Sequence, residues 1–368
     1  MPLTQVDQGL LSSTAQYTGF KNRIINGAMV IDQRNAGASI TPSTNGTMSL
    51  DRWKCGLNSG LAASKYSVQQ SSTAPAGFNN SVLITSTSAY TVQADDYSTF
   101  TQAIEGFNFA DFGFGTANAQ PLTISFQIRS SLTGTFAGFI QNNNADRSYP
   151  FTFTISAANT WESKTVTIAG DTAGTWVGAT NGTGLLFGFN LGTGSNRQGT
   201  ANTWNASNAR TVSGAVNLIA TNAATMYITG VQLEKGSTAT SFDYRPYGTE
   251  LQLCQRYFQK LTYVAGSVIT IGLTTSSVSA WGQIPFMQEM RTAATVTFPT
   301  AGQTTSTISF LNGTSYPSAT GTHSVYAVGT NQVSISATGY TGLAGGGQAC
   351  WLYSNGVGSV NFLASAEL

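Results

Sequence analysis

Fifteen carboxylates, one histidine and three cysteines are what this chain offers for covalent or acid–base chemistry. Cys55, Cys254 and Cys350 lie far apart and form no CxxC pair, so a closely spaced Cys/His zinc site is not expected. They read as small buried hydrophobes. A Ser-His-Asp device would have to use His323, which sits in a Thr/Gly-rich stretch. No G-x-S-x-G precedes a helix, and His323 reads as a surface histidine. Glycoside hydrolysis needs two carboxylates about 5–9.5 Å apart. Asp95, Asp96, Glu105, Asp111, Asp146 and Glu162 are available, but nothing in the sequence pairs any two. Asp95 and Asp96 would point to opposite faces of a strand and read as a polar loop. No P-loop is present, and Phe112-Gly-Phe-Gly115 is turn-like. An isolated carboxylate such as Asp51 or Glu234 could hold a structural Ca²⁺, which takes roughly six to eight oxygens. The residues therefore predict a non-enzymatic chain with no required cofactor.

Aromatic residues on a neutral, hydroxyl-rich background offer a different chemistry. A sugar presents C–H faces and hydroxyl rims, which match Trp or Tyr platforms flanked by amides and hydroxyls. In the last third of the chain the candidates are Trp281, Tyr316, Tyr326, Trp351 and Tyr353. Each can equally be a core residue.

Composition supports binding to uncharged surfaces. The 368 residues are 41% hydrophobic and 11% aromatic, enough for a sizeable core, yet 8% charged against roughly 25% in an average soluble domain. Sixteen Lys+Arg against fifteen Asp+Glu leave a net charge of +1. Such a balance argues against nucleic-acid binding, which draws its affinity from cations on phosphates, and against a polybasic membrane surface. The first twenty residues lack a basic and apolar leader, and no stretch of about 18 apolar residues would cross a membrane. Synthesis and folding in a cytoplasm are expected.

The elements that must position these side chains are strands. Leu122–Ile128, Phe151–Ile155, Lys164–Ile168, Leu185–Leu191 and Met226–Leu233 carry β-type apolar patterning, mostly in strict alternation, and Gly/Asn-rich turns separate them. Residues 1–22 read as an N-terminal arm, either docking or floppy. Residues 23–247 read as a jelly-roll β-sandwich. Over 248–261, Thr249 can cap, and Leu251, Cys254, Phe258 and Leu261 follow a 3-4-3 spacing, which predicts a connecting helix. Its apolar stripe either covers a sheet or forms a seam about a symmetry axis. Residues 262–368 return to strand patterns but contain only Glu289, Arg291 and Glu367 as charged side chains. They read as a distal β domain, and so uncharged a surface predicts an oligomer. The predicted fold class is mainly β: a jelly-roll sandwich, a short helix and a second C-terminal β domain, trimeric.

Three stretches carry a resemblance. Asn22–Arg34 is followed by Leu50-Asp-Arg-Trp53, then Ile228-Thr-Gly-Val-Gln-Leu-Glu-Lys-Gly236, which runs into Phe242-Asp-Tyr-Arg-Pro-Tyr-Gly-Thr-Glu-Leu-Gln-Leu-Cys-Gln-Arg-Tyr-Phe258. Over about residues 20–260 the chain resembles tail-fibre and virion structural proteins of tailed bacteriophages, whose jelly-roll domain is similar to carbohydrate-binding modules. The resemblance implies a virion part, usually a homotrimer, fixed to other virion proteins near its N-terminus. Within the motif, Asp51, Arg52, Trp53, Gln232, Glu234 and Arg245 read as structural. Trp53 would plug one end of the sandwich, Glu234 and Arg52 would pair or bridge to terminal loops, and Arg245-Pro246 forces an extended exit. Host attachment through multivalent binding of a surface glycan by a distal tip is the leading function. The rivals are a purely structural capsid fibre or collar/baseplate decoration, and a polysaccharide depolymerase.

Overall fold

A computed structural model describes residues 20–58, 65–298, 308–312, 322–343, 345–354 and 359–368. Most of the N-terminal arm, and Tyr316, lie outside them. The chain divides into two compact units between Glu250 and Leu251.

Among the described residues, unit 1 contains β1 (Thr47–Met48), β2 (Lys54–Leu57), β3 (Tyr66–Ser71), β4 (Ser81–Ser86), β5 (Tyr97–Glu105), β6 (Leu122–Ser130), β7 (Gly134–Gln141), β8 (Ser148–Ile155), β9 (Glu162–Ile168), β10 (Thr183–Thr193) and β11 (Thr225–Lys235). They form two antiparallel sheets, ordered β1-β2-β5-β10-β7-β8 and β3-β4-β11-β6-β9. The chain crosses between the sheets at β2–β3, β4–β5, β5–β6, β6–β7, β8–β9, β9–β10 and β10–β11, a jelly-roll-like sandwich. Alternation on these strands turns one side chain in two inward. The interior is largely aromatic. Phe126 meets Phe153 and Phe189 edge-on at 5.1 and 5.0 Å. Trp53 stacks on Phe100 at 4.8 Å. Each such pair adds ~0.5–1.5 kcal/mol beyond simple burial.

Helix α1 (Tyr247–Gln255) follows. It is shorter than the 248–261 spacing predicts and begins two residues before Thr249. Residues Phe258–Tyr263 are instead a strand, β12, paired antiparallel with Val360–Ser365. The 3-4-3 stripe therefore does not exist as one helix face, and its four residues form no single-helix seam. Cys254 is buried on the helix, while Phe258 and Leu261 are buried on the strand. Aromatic residues and the Lys260-Leu261-Thr262-Tyr263 alternation favour a strand once a partner edge is present.

Unit 2 continues with β13 (Val268–Ser276), β14 (Ser279–Pro285), β15 (Thr295–Thr297), β16 (Ile308–Leu311), β17 (Thr322–Val328), β18 (Gln332–Thr338), β19 (Ala349–Ser354) and β20 (Val360–Ser365). A three-stranded sheet, β12-β20-β15, and a six-stranded sheet, β16-β19-β13-β14-β18-β17, share a core that includes Leu261, Ile284, Phe310, Ile335, Leu352 and Phe362. His323 is not a surface residue. On β17 it points inward, is buried, and lies 2.6 Å from the Tyr340 hydroxyl, which also accepts from the Phe310 amide. Burial raises the Tyr340 hydroxyl from its ordinary 10.0 to about 12.

Candidate binding groove

The motif residues are engaged in holding unit 1 together. Asn26 binds the backbone at Ile31 and Asp51 through its side chain, and its carbonyl accepts from the Trp53 indole at 3.1 Å. Asp51 accepts from the Gln33 amide and side chain at 2.6 and 2.8 Å. Arg52, at φ 70°, donates to the Ala103 carbonyl. Glu234 bridges to the following loop, accepting from the Thr240 amide at 2.9 Å and its hydroxyl at 2.7 Å. Gln232 accepts from the Asp243 amide. Arg245 pairs with Glu250 at 3.2 Å and donates to the Asn22 and Ile24 carbonyls, and Glu250 also accepts from the Asn26 amide. The motif thus clamps residues 22–26 both to 51–53 and to 232–250. Asp51 and Glu234, the candidate Ca²⁺ carboxylates, make protein hydrogen bonds. Among the described residues no cluster of three or more His, Cys, Asp or Glu could hold a metal ion.

The aromatic candidates of the last third are arranged differently. On β14, Ala280, Gly282 and Ile284 are buried, so Ser279, Trp281 and Gln283 face the other way. On β18, Val333, Ile335 and Ala337 face the core, leaving Ser334, Ser336 and Thr338 opposite. Register then builds the outer face. Trp281 pairs with Leu273 on one side and Ser336 on the other, and Gln283 pairs with Ser334. Ser336 meets Ser324 of β17, hydroxyl to hydroxyl, at 2.9 Å. A bulge between Val325 and Ala327 takes Tyr326 out of the ladder and leaves it 76% exposed. Gly272 lets β13 close on β14, since a Cβ there would lie 2.2 Å from the Trp281 carbonyl oxygen.

The product is a groove of about 640 Å³ lined by Trp281, Tyr326, Gln283 and the hydroxyls of Thr275, Ser279, Ser334, Ser336 and Thr338, among others. Its volume falls within the range of small-ligand sites, ~300–1,000 Å³. No charged side chain lines it. The structure thus brings Trp281 and Tyr326 together. Trp351 lies on the same face outside the groove, opposite Ile271 of β13, and is 48% exposed. Tyr353 is half-buried and outside the groove. Sequence reading missed Gln283 and the β18 hydroxyls, although the alternation Ser279-Ala-Trp-Gly-Gln283 is a signal for the first.

A second hollow, of about 450 Å³, lies on the five-stranded sheet of unit 1. Ser125, Gln127, Ser163 and Thr165 are among its lining residues, with Phe78, Phe242 and Tyr244. Those rings already pack on one another, at 5.1 Å for Phe78–Phe242 and 4.9 Å for Phe242–Tyr244. The Tyr244 hydroxyl donates to the Gly77 carbonyl. By contrast, among the described residues no ring contact involves Trp281, Tyr326 or Trp351.

No protein-family model and no curated protein matches the chain. Solved structures that are similar include the enzymatically active domain of bacteriophage CBA120 tailspike protein 4, at 12% identity, 58% coverage of this chain and a TM-score of 0.28. The chain spans 21% of that structure's length. A CBM4 structure matches at 17% identity over 57% of this chain and 97% of its own, with a TM-score of 0.29. A putative sugar-binding protein from Bacteroides thetaiotaomicron VPI-5482 matches at 13% identity over 58% and 100%, with a TM-score of 0.35.

Proposed function

We propose that this chain is a non-catalytic attachment protein of a tailed-phage virion that binds a bacterial surface glycan through the Trp281–Tyr326 groove. One observation carries the reading: two rings that make no ring contact among the described residues line an uncharged, hydroxyl-rich groove. Ring faces cover the C–H faces of a pyranose, while Gln283 and the serine and threonine hydroxyls can both donate to and accept from its rim. The motif resemblance supplies the virion context. A homotrimer assembled in the infected cell and anchored through its N-terminal arm would present three such grooves. Several weak contacts then gain avidity without any tight single site. Acid–base catalysis has no part in this reading.

A second reading, a purely structural fibre or decoration, draws on the same face of unit 2. Ile271 and Leu273 are 69% and 43% exposed there, and a partner subunit would cover them.

The experiment is binding of fluorescently labelled full-length protein to intact bacteria, before and after mild periodate oxidation of the surface sugars. Attachment predicts binding that periodate abolishes and protease treatment of the cells leaves intact. Trp281→Ala removes it as well. Absence of binding to every strain that the parent particle infects contradicts the proposal and favours the structural role.

A further inference from the structure

Resting on the glycan reading of the same groove, we propose that its ligand is an uncharged oligosaccharide laid across the strands, extending from Tyr326 over Trp281 to Trp351. Charge argues for the first part. Between Lys260 and Glu289, and again between Arg291 and Glu367, the sequence holds no charged residue. All six strands of the sheet lie within those two stretches. Glu289 accepts from Thr330 in the turn of the β17–β18 hairpin, and Arg291 donates to the Ala366 and Glu367 carbonyls. Neither lines the groove. A uronate, sialate or phosphate entering it would lose water and meet hydroxyls, one amide and the negative faces of rings, with no cation in compensation. A neutral sugar exchanges its water hydrogen bonds for equivalent ones.

Register argues for the second part. Leu273, the cross-strand neighbour of Trp281, shares a face of β13 with Ile271, two residues away. Ile271 pairs with Trp351, which in turn pairs with Leu311 of β16. An exposed apolar track therefore continues from the groove to Trp351. From β17 to β19 it crosses four strand intervals, about 19 Å at ~4.8 Å each, more than one sugar ring can cover. Ile271 and Leu273 lie between the two aromatic stations, where C–H faces of a bridging chain would rest.

The test uses the full-length chain and two oligosaccharide series, from disaccharide to hexasaccharide. One is neutral (gluco-, galacto- and N-acetylchito-oligosaccharides), the other anionic (oligogalacturonates and sialylated chains), each measured at low and high salt. The account predicts binding within the neutral series, at least about tenfold tighter than to any anionic chain of equal length, and insensitive to salt. Trp351→Ala weakens the longer neutral chains several-fold and leaves the shortest unchanged. Trp281→Ala weakens all of them, and Trp281→Tyr restores most of the affinity. Salt-sensitive preference for anionic chains overturns the neutrality and leaves the glycan reading standing. A Trp351→Ala effect equal at every length, or no effect, overturns the extended site. So does a change in sedimentation-derived mass in that variant, which would make Trp351 a subunit contact. Binding of no saccharide in either series removes the glycan reading itself.

Discussion

The two units handle aromatic and polar residues in opposite ways. In unit 1 most rings face inward or cover one another, with Phe107 and Tyr247 as exposed exceptions, and several charges are paired. Arg147 grips Asp171 with two hydrogen bonds, at 2.7 and 2.6 Å, and Arg245 holds Glu250. In unit 2 charge has almost vanished, and several of the large apolar side chains face outward on one sheet. Rings packed on one another leave little open face for a ligand. On the proposed function, unit 1 is the body and unit 2 the contact surface.

Breaking unit 1 at its centre should have the largest effect. Trp53 is fully buried, stacked on Phe100, and its indole donates to the Asn26 carbonyl. Trp53→Ala should cost about 4 kcal/mol, seen as a lower urea midpoint for the transition that reports unit 1. Arg245→Ala should follow at about 3 kcal/mol, because it leaves the Glu250 carboxylate without its cation and the Ile24 carbonyl without its donor. Glu250→Gln, which keeps the volume and part of the hydrogen bonding, should cost less.

The clamp shows how much was legible in the sequence. The motif stretches announced a structural cluster, and the alternating strands announced the sandwich. Both are local patterns that survive folding. The 251–261 stripe misled because a 3-4-3 spacing also fits a short helix followed by a strand. The Val360–Ser365 edge, more than a hundred residues away, decides between them. His323 misled for a similar reason. Its flanking threonines and serine suggest a loop until β18 pairs with β17 and Tyr340 supplies a partner. In the groove, Trp281 and Tyr326 were legible as residue types. Their meeting was not, since it depends on a bulge and on the β14–β18 register.

A further effect should appear at alkaline pH. The Cys55 thiol in unit 1 is raised from its ordinary 9.0 to about 12 by burial, and burial raises the Tyr66 hydroxyl beside it. The fold thus favours the neutral forms. Their contribution to stability is complete below pH 9 and is lost as pH rises towards 12, because the unfolded chain ionises first. Urea midpoints for unit 1 should fall across that window, and Cys55→Ala should flatten part of the fall. A slope unchanged in that variant would place the alkaline sensitivity elsewhere.

The most direct test sets the two aromatic sites against each other on the same glycan-bearing cells. Two full-length double variants are compared with the parent chain: Trp281→Ala with Tyr326→Ala in unit 2, and Phe78→Ala with Tyr244→Ala in unit 1. Circular dichroism should show that all three are folded. The account predicts that the unit 2 variant loses cell binding at unchanged fold, while the unit 1 variant binds as the parent does. Loss confined to the unit 1 variant would contradict it and move the contact surface to the sandwich.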